Sequence, residues 1–169
     1  MIKKKVCLIG AYAVGKTSLV RRFVNGLFSD DYLTTVGVKI DQRTVTAPDG
    51  REVRMMIWDL AGRDEFEAVR KSYLSGASGF LYVADGTRRE TLEAVRQEMA
   101  EIEASFPGMP SVLLVNKRDL VSDWEVEDAD LAAFRDRGLP VHFTSAKTGE
   151  LVAESFDDLA GRMTETHLD

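Results

Sequence analysis

The 169-residue chain is 44% hydrophobic and 30% charged, a balance that suits a buried core and excludes a disordered, low-hydrophobicity chain. Its net charge of -6 excludes a broad electrostatic grip on nucleic acid, which needs clustered Lys and Arg to displace phosphate counterions. The single cysteine, Cys7, excludes a disulfide framework and a Cys/His zinc set, and no apolar run approaches the ~18 residues of a membrane span. One cytoplasmic domain over residues 1–169 is expected, with no intrinsic membrane anchor: residue 2 is Ile rather than Gly, and the chain ends THLD.

Lys3, Lys4 and Lys5 read as the solvated start of a strand that continues through VCLI, Val6 to Ile9, with Cys7 as a small buried hydrophobe. Directly after it comes GAYAVGKT, Gly10 to Thr17, which fits G-x-x-x-x-G-K-[ST]. Its glycines let the backbone curl into an anion nest, and the following helix N-terminus adds its positive dipole end. Lys16 is expected to reach β and γ phosphates and the Thr17 hydroxyl to ligate Mg²⁺. Ala13, Val14, Gly15 and Ser18 complete the nucleotide-binding set of this loop.

The segment VKIDQRTVTAPDGREVRMMIWD holds two strand-like stretches joined near Asp49-Gly50, so these strands should run antiparallel. WDLAGRDEF, Trp58 to Phe66, follows and carries an Asp-x-x-Gly suited to a nucleotide's terminal phosphate. FLYVA, Phe80 to Ala84, is the next buried strand. From Thr87 to Phe106, the residues Leu92, Val95, Met99, Ile102 and Phe106 step by three or four and predict one apolar helix stripe. Pro107 and Pro110 punctuate the loop before VLLV, Val112 to Val115. A short run, VHF at Val141 to Phe143, precedes a last helical stripe of Leu151, Ser155, Phe156, Leu159 and Met163.

Strands alternating with helices predict an α/β fold of three layers: a six-stranded, mostly parallel sheet with one antiparallel edge strand and helices on both faces. Ligands of such sheets bind at the carboxyl ends of the strands. There the chain places NKRD, Asn116 to Asp119, after the fourth of the apolar runs, and TSAK, Thr144 to Lys147, after the fifth. The Asp119 carboxylate can accept from both N1–H and the 2-amino group of guanine, whereas adenine offers neither donor. Backbone N–H groups of TSAK are suited to the guanine O6. His142 and His167 have no acid or nucleophile nearby in sequence and receive no catalytic role.

With GAYAVGKT, YLTTVG (Tyr32 to Gly37), WDLAG (Trp58 to Gly62), NKRD and TSAK in this order and at these intervals, the chain resembles the Ras superfamily of small GTPases, and within it the Rab branch. The resemblance covers almost the whole chain and implies a P-loop G domain. It implies a GTP/GDP switch that uses Mg²⁺, with Thr35 binding Mg²⁺ and the γ-phosphate, Asp59 holding Mg²⁺ through water, and Gly62 donating its N–H to the γ-phosphate. Phe28 would pack against the base edge, Lys117 and Lys147 would lie along the ring, and Ser145 and Ala146 would face the base. Taken alone, Thr35 also reads as a strand residue, Asp59 as a helix cap and Phe28 as core. Partners of such a monomer, namely an exchange factor, an activating protein and effectors, would read the loops near 30–40 and 60–75, which the γ-phosphate and metal order.

Lys16, Thr35, Gly62 and Arg63 form the expected catalytic set, and Arg63 is the departure that matters most. The family usually has Gln there, whose amide can accept from and donate to the attacking water, whereas Arg has five donors and no acceptor. Arg63 has three readings: an inert side chain with water oriented by Asp64, Glu65 or a partner; the mark of a protein that binds GTP and hydrolyses it very poorly; or a cis electrostatic role on the γ-phosphate. Tyr12 stands where the family prefers Gly or Ser, beside the milder Ala13. Lys39 and Ile40 replace an acidic residue and Phe, while Trp58 and Tyr73 keep two aromatic positions that Rab partners read. A slow GTPase is therefore expected, against a guanine-nucleotide-dependent scaffold with negligible hydrolysis, and against a P-loop kinase using ATP, which leaves NKRD and TSAK without a purpose.

Overall fold

In the first strand Val6 and Leu8 face one side and Cys7 and Ile9 the other, and all four are buried, so the strand must be covered on both faces. The computed structural model, which describes residues 1–29, 37–60 and 67–165, meets that demand with a sheet between two helical layers. The strands are β1 (Ile2–Ile9), β2 (Val38–Thr46), β3 (Glu52–Leu60), β4 (Gly79–Asp85), β5 (Ser111–Asn116) and β6 (Val141–Phe143). The helices are α1 (Lys16–Asn25), α2 (Glu67–Leu74), α3 (Arg89–Ser105), α4 (Asp128–Asp136) and α5 (Val152–Glu165). The sheet order is β2-β3-β1-β4-β5-β6, with β2 antiparallel to β3 and every other pair parallel. This is the expected six-stranded sheet with its antiparallel edge.

One face packs against α1 and α5, where the rings of Phe23 and Phe156 stack at 4.0 Å between Val6, Leu8, Ile57, Leu81 and Leu114. The other face packs against α2, α3 and α4 through Cys7, Tyr82 and Leu113. The Cys7 thiol is pushed up to about 12 by burial, with Lys5 opposing, and donates to the Tyr73 carbonyl at 3.4 Å, so it is an inert part of the core. In α3 the predicted stripe is buried at Leu92, Val95, Met99 and Ile102, and Phe106 caps the helix and packs edge-on against Phe80. Among the described residues, no helix is long and apolar enough to cross a membrane.

Several local expectations change. The hairpin turns through three residues, Pro48 to Gly50: Ala47 N–H donates to the Arg51 carbonyl at 2.8 Å, Gly50 N–H donates to Ala47, and Gly50 has φ 87°. The proline and the left-handed glycine favour this loop over a two-residue Asp-Gly turn. Leu151 lies before α5 rather than on its stripe, with φ 54° and an exposed side chain, while Ser155, Phe156, Leu159 and Met163 are buried.

Lys4 is buried rather than solvated, its ammonium pushed below its ordinary pKa by burial and by the nearby Arg51. Lys5 lies 3.7 Å from the centre of the Trp58 ring and donates to the Ser75 carbonyl at 2.8 Å. His142 does meet an acid, Asp158 on α5 at 2.8 Å, a residue that the short range of sequence inspection could not pair with it. His167 lies outside the described residues.

Candidate functional site

The loop between β1 and α1 is wound by its own backbone and held by side chains from distant strands. Ala13 has φ 63° and Gly15 φ 100°, so two residues of the loop are left-handed, a conformation that costs a non-glycine residue roughly 1–3 kcal/mol. Lys117 in NKRD and Leu151 after TSAK are the only other non-glycine residues with positive φ among the described residues. Strain thus concentrates in the loops that sequence motifs had marked. Gly15 is demanded twice over: besides its φ, a Cβ there would lie 2.4 Å from the Asn116 side-chain nitrogen.

Side chains from NKRD fasten the loop. Asn116 Nδ2 donates to the Val14 carbonyl at 3.0 Å, and Lys117 Nζ donates to the Ala13 carbonyl at 3.0 Å. Asn116 Oδ1 in turn accepts from Thr144 Oγ1 at 3.1 Å, and Asp119 Oδ1 accepts from Ser145 Oγ at 2.7 Å. The Asp119 carboxylate and the TSAK loop are therefore tied to each other, and the TSAK and NKRD segments to the loop after β1. Asn116, Thr144, Ser145 and Ala146 are buried, whereas Lys147 is exposed and Lys117 half-buried. Phe28 is half-buried and packs at the margin of the core cluster that includes α1 and α5.

Lys16 is buried and donates to the Gly10 carbonyl at 2.9 Å and the Leu60 carbonyl at 3.1 Å. Burial pushes its ammonium below the ordinary lysine value, opposed by the charges of Asp59 and Glu98. An arriving phosphate supplies the countercharge that burial favours. Thr17 Oγ1 donates to Asp59 Oδ2 at 2.6 Å. A hydroxyl and a buried carboxylate side by side are the hard oxygen donors that Mg²⁺ takes when substrate phosphates complete its shell, so the residues fit this ion. Ser18 follows in the first turn of α1. Thr35, Gly62 and Arg63 lie outside the described residues, as do residues 30–36 and 61–66 of the two loops expected to meet partners.

Sequence reading missed Asp85. It ends β4, its side chain is 1% exposed, and its Oδ2 receives both Lys117 Nζ at 2.9 Å and Arg88 Nε at 3.0 Å. Burial pushes this carboxyl up, but hydrogen bonds from Thr87, Lys117 and Arg88 outweigh that and hold it below the usual carboxylate value. The signal was present as an acid closing a buried apolar strand at its carboxyl end, where ligands gather. Tyr12 is exposed at 39%, and its carbonyl accepts from Arg88. Tyr73 was expected at a partner surface but is buried, with its hydroxyl donating to Leu8 O at 3.0 Å and also bonded to Trp58 O. Ile40 is exposed and pairs across the β2–β3 ladder with Trp58.

A mostly parallel sheet whose strand β1 runs into a G-x-x-x-x-G-K-T loop and an α-helix, with the NKRD and TSAK segments at the ends of β5 and β6, defines a P-loop protein of the α/β class. Within that class, the family model described as "Ras family" matches residues 5–165, and the chain belongs to the Ras family. It is 36% identical over 163 residues to the GTP-binding protein YPTM2 of Zea mays, covering 95% of this chain and 80% of that protein. It is 35% identical over 161 residues to the Ras-related protein RABD1 of Arabidopsis thaliana, covering 94% and 78%. The Ras-related protein RABD2b of the same plant is 38% identical over 154 residues, covering 90% and 76%. The protein is thus a Rab-like small GTPase, as its motifs implied.

Proposed function

We propose that this protein is a GTP/GDP switch that hydrolyses GTP slowly with Mg²⁺ and signals or traffics through partners of its switch loops. The observation that carries this reading is the set of hydrogen bonds that ties the phosphate loop to Asn116 and Lys117, Asn116 to Thr144, and the adjoining Ser145 to Asp119. One rigid frame of this kind can grip phosphate at one end and test the base at the other. A kinase acting on ATP has no use for the second half, and a pure scaffold is not favoured in a family of GTPases.

In this reading the backbone N–H groups of Ala13 to Ser18 and the Lys16 ammonium hold the phosphates, while Asp119 and the Ser145–Lys147 backbone select guanine. Phe28, Lys117 and Lys147 line the base. Thr17, Thr35 and Asp59 would hold Mg²⁺, which when bound neutralises charge on the β and γ oxygens. The bond broken is that from the γ-phosphorus to the β–γ bridging oxygen, and water supplies the new oxygen. Lys16, Thr35 and the Gly62 N–H stabilise the charge that develops, with no covalent step by the protein. Arg63 cannot accept a proton from water, so the rate of leaving the GTP state is where this chain departs from the family pattern.

Nucleotide content of the purified protein, followed by single-turnover GTP hydrolysis beside Arg63→Gln, tests the reading. Bound GDP or GTP with slow wild-type turnover, and faster turnover in the substituted protein, is expected. Bound ATP, or no measurable affinity for GTP, would overturn it.

A further inference from the structure

Three successive carbonyls of the phosphate loop each accept a side chain from elsewhere in the fold. Val14 O accepts from Asn116 Nδ2 at 3.0 Å, Ala13 O from Lys117 Nζ at 3.0 Å, and Tyr12 O from Arg88 Nη2 at 3.0 Å. The first two belong to the NKRD motif. Arg88 belongs to no motif: it precedes α3, its backbone is extended at φ -136° and ψ 97°, and it is 76 residues from Tyr12 in the chain.

No peptide bond among the described residues is cis, so the C=O and N–H of each peptide unit point in opposite directions. Fastening Tyr12 O to Arg88 therefore turns the Ala13 N–H away from Arg88. Lys117 and Asn116 do the same for the N–H groups of Val14 and Gly15. A row of three N–H groups facing one side is an anion nest, and its outer side is held here by two cations and an amide. The cations on the Tyr12 and Ala13 carbonyls also draw electron density from those peptides and strengthen the opposite N–H groups as donors.

Arg88 is itself prepared for this task. Its Nε donates to Asp85 Oδ2 at 3.0 Å, the same oxygen that receives Lys117 Nζ at 2.9 Å. Asp85 Oδ1 accepts from the Thr87 N–H at 2.9 Å and the Thr87 hydroxyl at 2.7 Å, so the buried carboxylate cannot swing away without breaking several bonds. Two different nitrogens of the planar guanidinium, Nε on Asp85 and Nη2 on the Tyr12 carbonyl, thereby bridge the carboxylate and the loop in a fixed relative geometry.

We propose that Arg88 is a positioning residue of the nucleotide site, holding the Tyr12–Ala13 peptide so that the Ala13 N–H faces the phosphates. This rests on the guanine-nucleotide reading above. Arg88 acts through the backbone of Tyr12 and touches no reacting atom.

The test is release of a fluorescent GDP analogue from the full chain with Mg²⁺ present, comparing wild type with Arg88→Ala, Arg88→Lys and the control Arg89→Ala. Arg89 starts the same helix but pairs with Asp130 and the Glu125 carbonyl, away from the loop. Release is expected to quicken roughly tenfold in Arg88→Ala, the effect of losing one charge-assisted hydrogen bond. Arg88→Lys should fall between it and wild type, and Arg89→Ala should match wild type. In the GDP complex of Arg88→Ala, the Ala13 amide resonance should move more than that of Gly15, a signature that general loosening of α3 would not produce. Release at the wild-type rate in both Arg88 variants, with an unmoved Ala13 amide, would overturn the proposal while leaving the nucleotide reading intact. Equal acceleration in Arg89→Ala would overturn it too, and a wild type without affinity for GDP would overturn both.

Discussion

Gly86 shows how a single residue can be fixed by a neighbour far away in sequence. A Cβ at this position would lie 2.1 Å from the six-membered ring of Trp124, which also carries the Arg118 guanidinium 4.8 Å above it. Gly86→Ala should destabilise the protein by about 1–3 kcal/mol, the usual cost of overpacking. Urea denaturation followed by tryptophan fluorescence checks this, and an unchanged midpoint would show that the ring shifts freely. At Asp119 the question is chemical rather than steric. Asn in its place presents an amide donor to the guanine 2-amino group, where the carboxylate would accept. Asp119→Asn should weaken GTP binding by about 100-fold or more, from two lost charge-assisted bonds. Xanthine carries an oxygen at that carbon, so its nucleotide should lose far less. Competition between the two nucleotides for the variant reads the outcome directly.

At the scale of elements, α4 is held at its start by a capping box: the Glu127 side chain receives the third helical N–H, and Asp130 receives the Glu127 N–H at 2.8 Å. Asp130 also receives Arg89 Nε at 3.1 Å, and the hydrogen bond from the Glu127 N–H, joined by the Arg89 bond and charge, holds its carboxyl below the ordinary value despite the opposing effect of burial. Asp130→Ala should destabilise the protein through the lost cap. A fall in denaturation midpoint with an unchanged slope is the expected result.

The elements themselves were largely legible beforehand. The stripe of α3 and the buried strand runs repeat at the spacing of their own geometry, so a linear sequence reports them. Leu151 was misread because spacing alone cannot tell a helical residue from one just outside the helix, where Leu151 takes a left-handed backbone. Tyr73 was expected at a partner surface from the resemblance alone, and a match to a family position does not report burial, which here is nearly complete.

For the molecule as a whole, Asp85 joins β4, the start of α3 and the loop after β5 at the carboxyl edge of the sheet, through Arg88 and Lys117. Replacing it with Asn leaves two cations without their shared partner and should destabilise the fold by roughly 3 kcal/mol near neutral pH. Because the folded carboxyl titrates below its unfolded value, its contribution is complete above about pH 4 and is lost as pH falls through the lower folded value. The stability gap between wild type and Asp85→Asn should therefore be flat from about pH 5 to 8 and close at lower pH. Denaturation midpoints across that range check it, and a gap that already closes near neutrality would contradict the assignment.

The sequence by itself determined which motifs exist, their order and the sheet on which they sit, because hydrophobic period and loop chemistry are written locally. It therefore carried the family and the positions of the GAYAVGKT, NKRD and TSAK loops on the sheet. Only the tertiary structure decided that Lys4 and Tyr73 are buried, that His142 meets Asp158, and that Asp85 and Arg88 reach the phosphate loop. Each of these depends on two segments far apart in the chain arriving at one place. Periodicity tells a residue which face of its own element it occupies, while packing alone chooses what stands opposite.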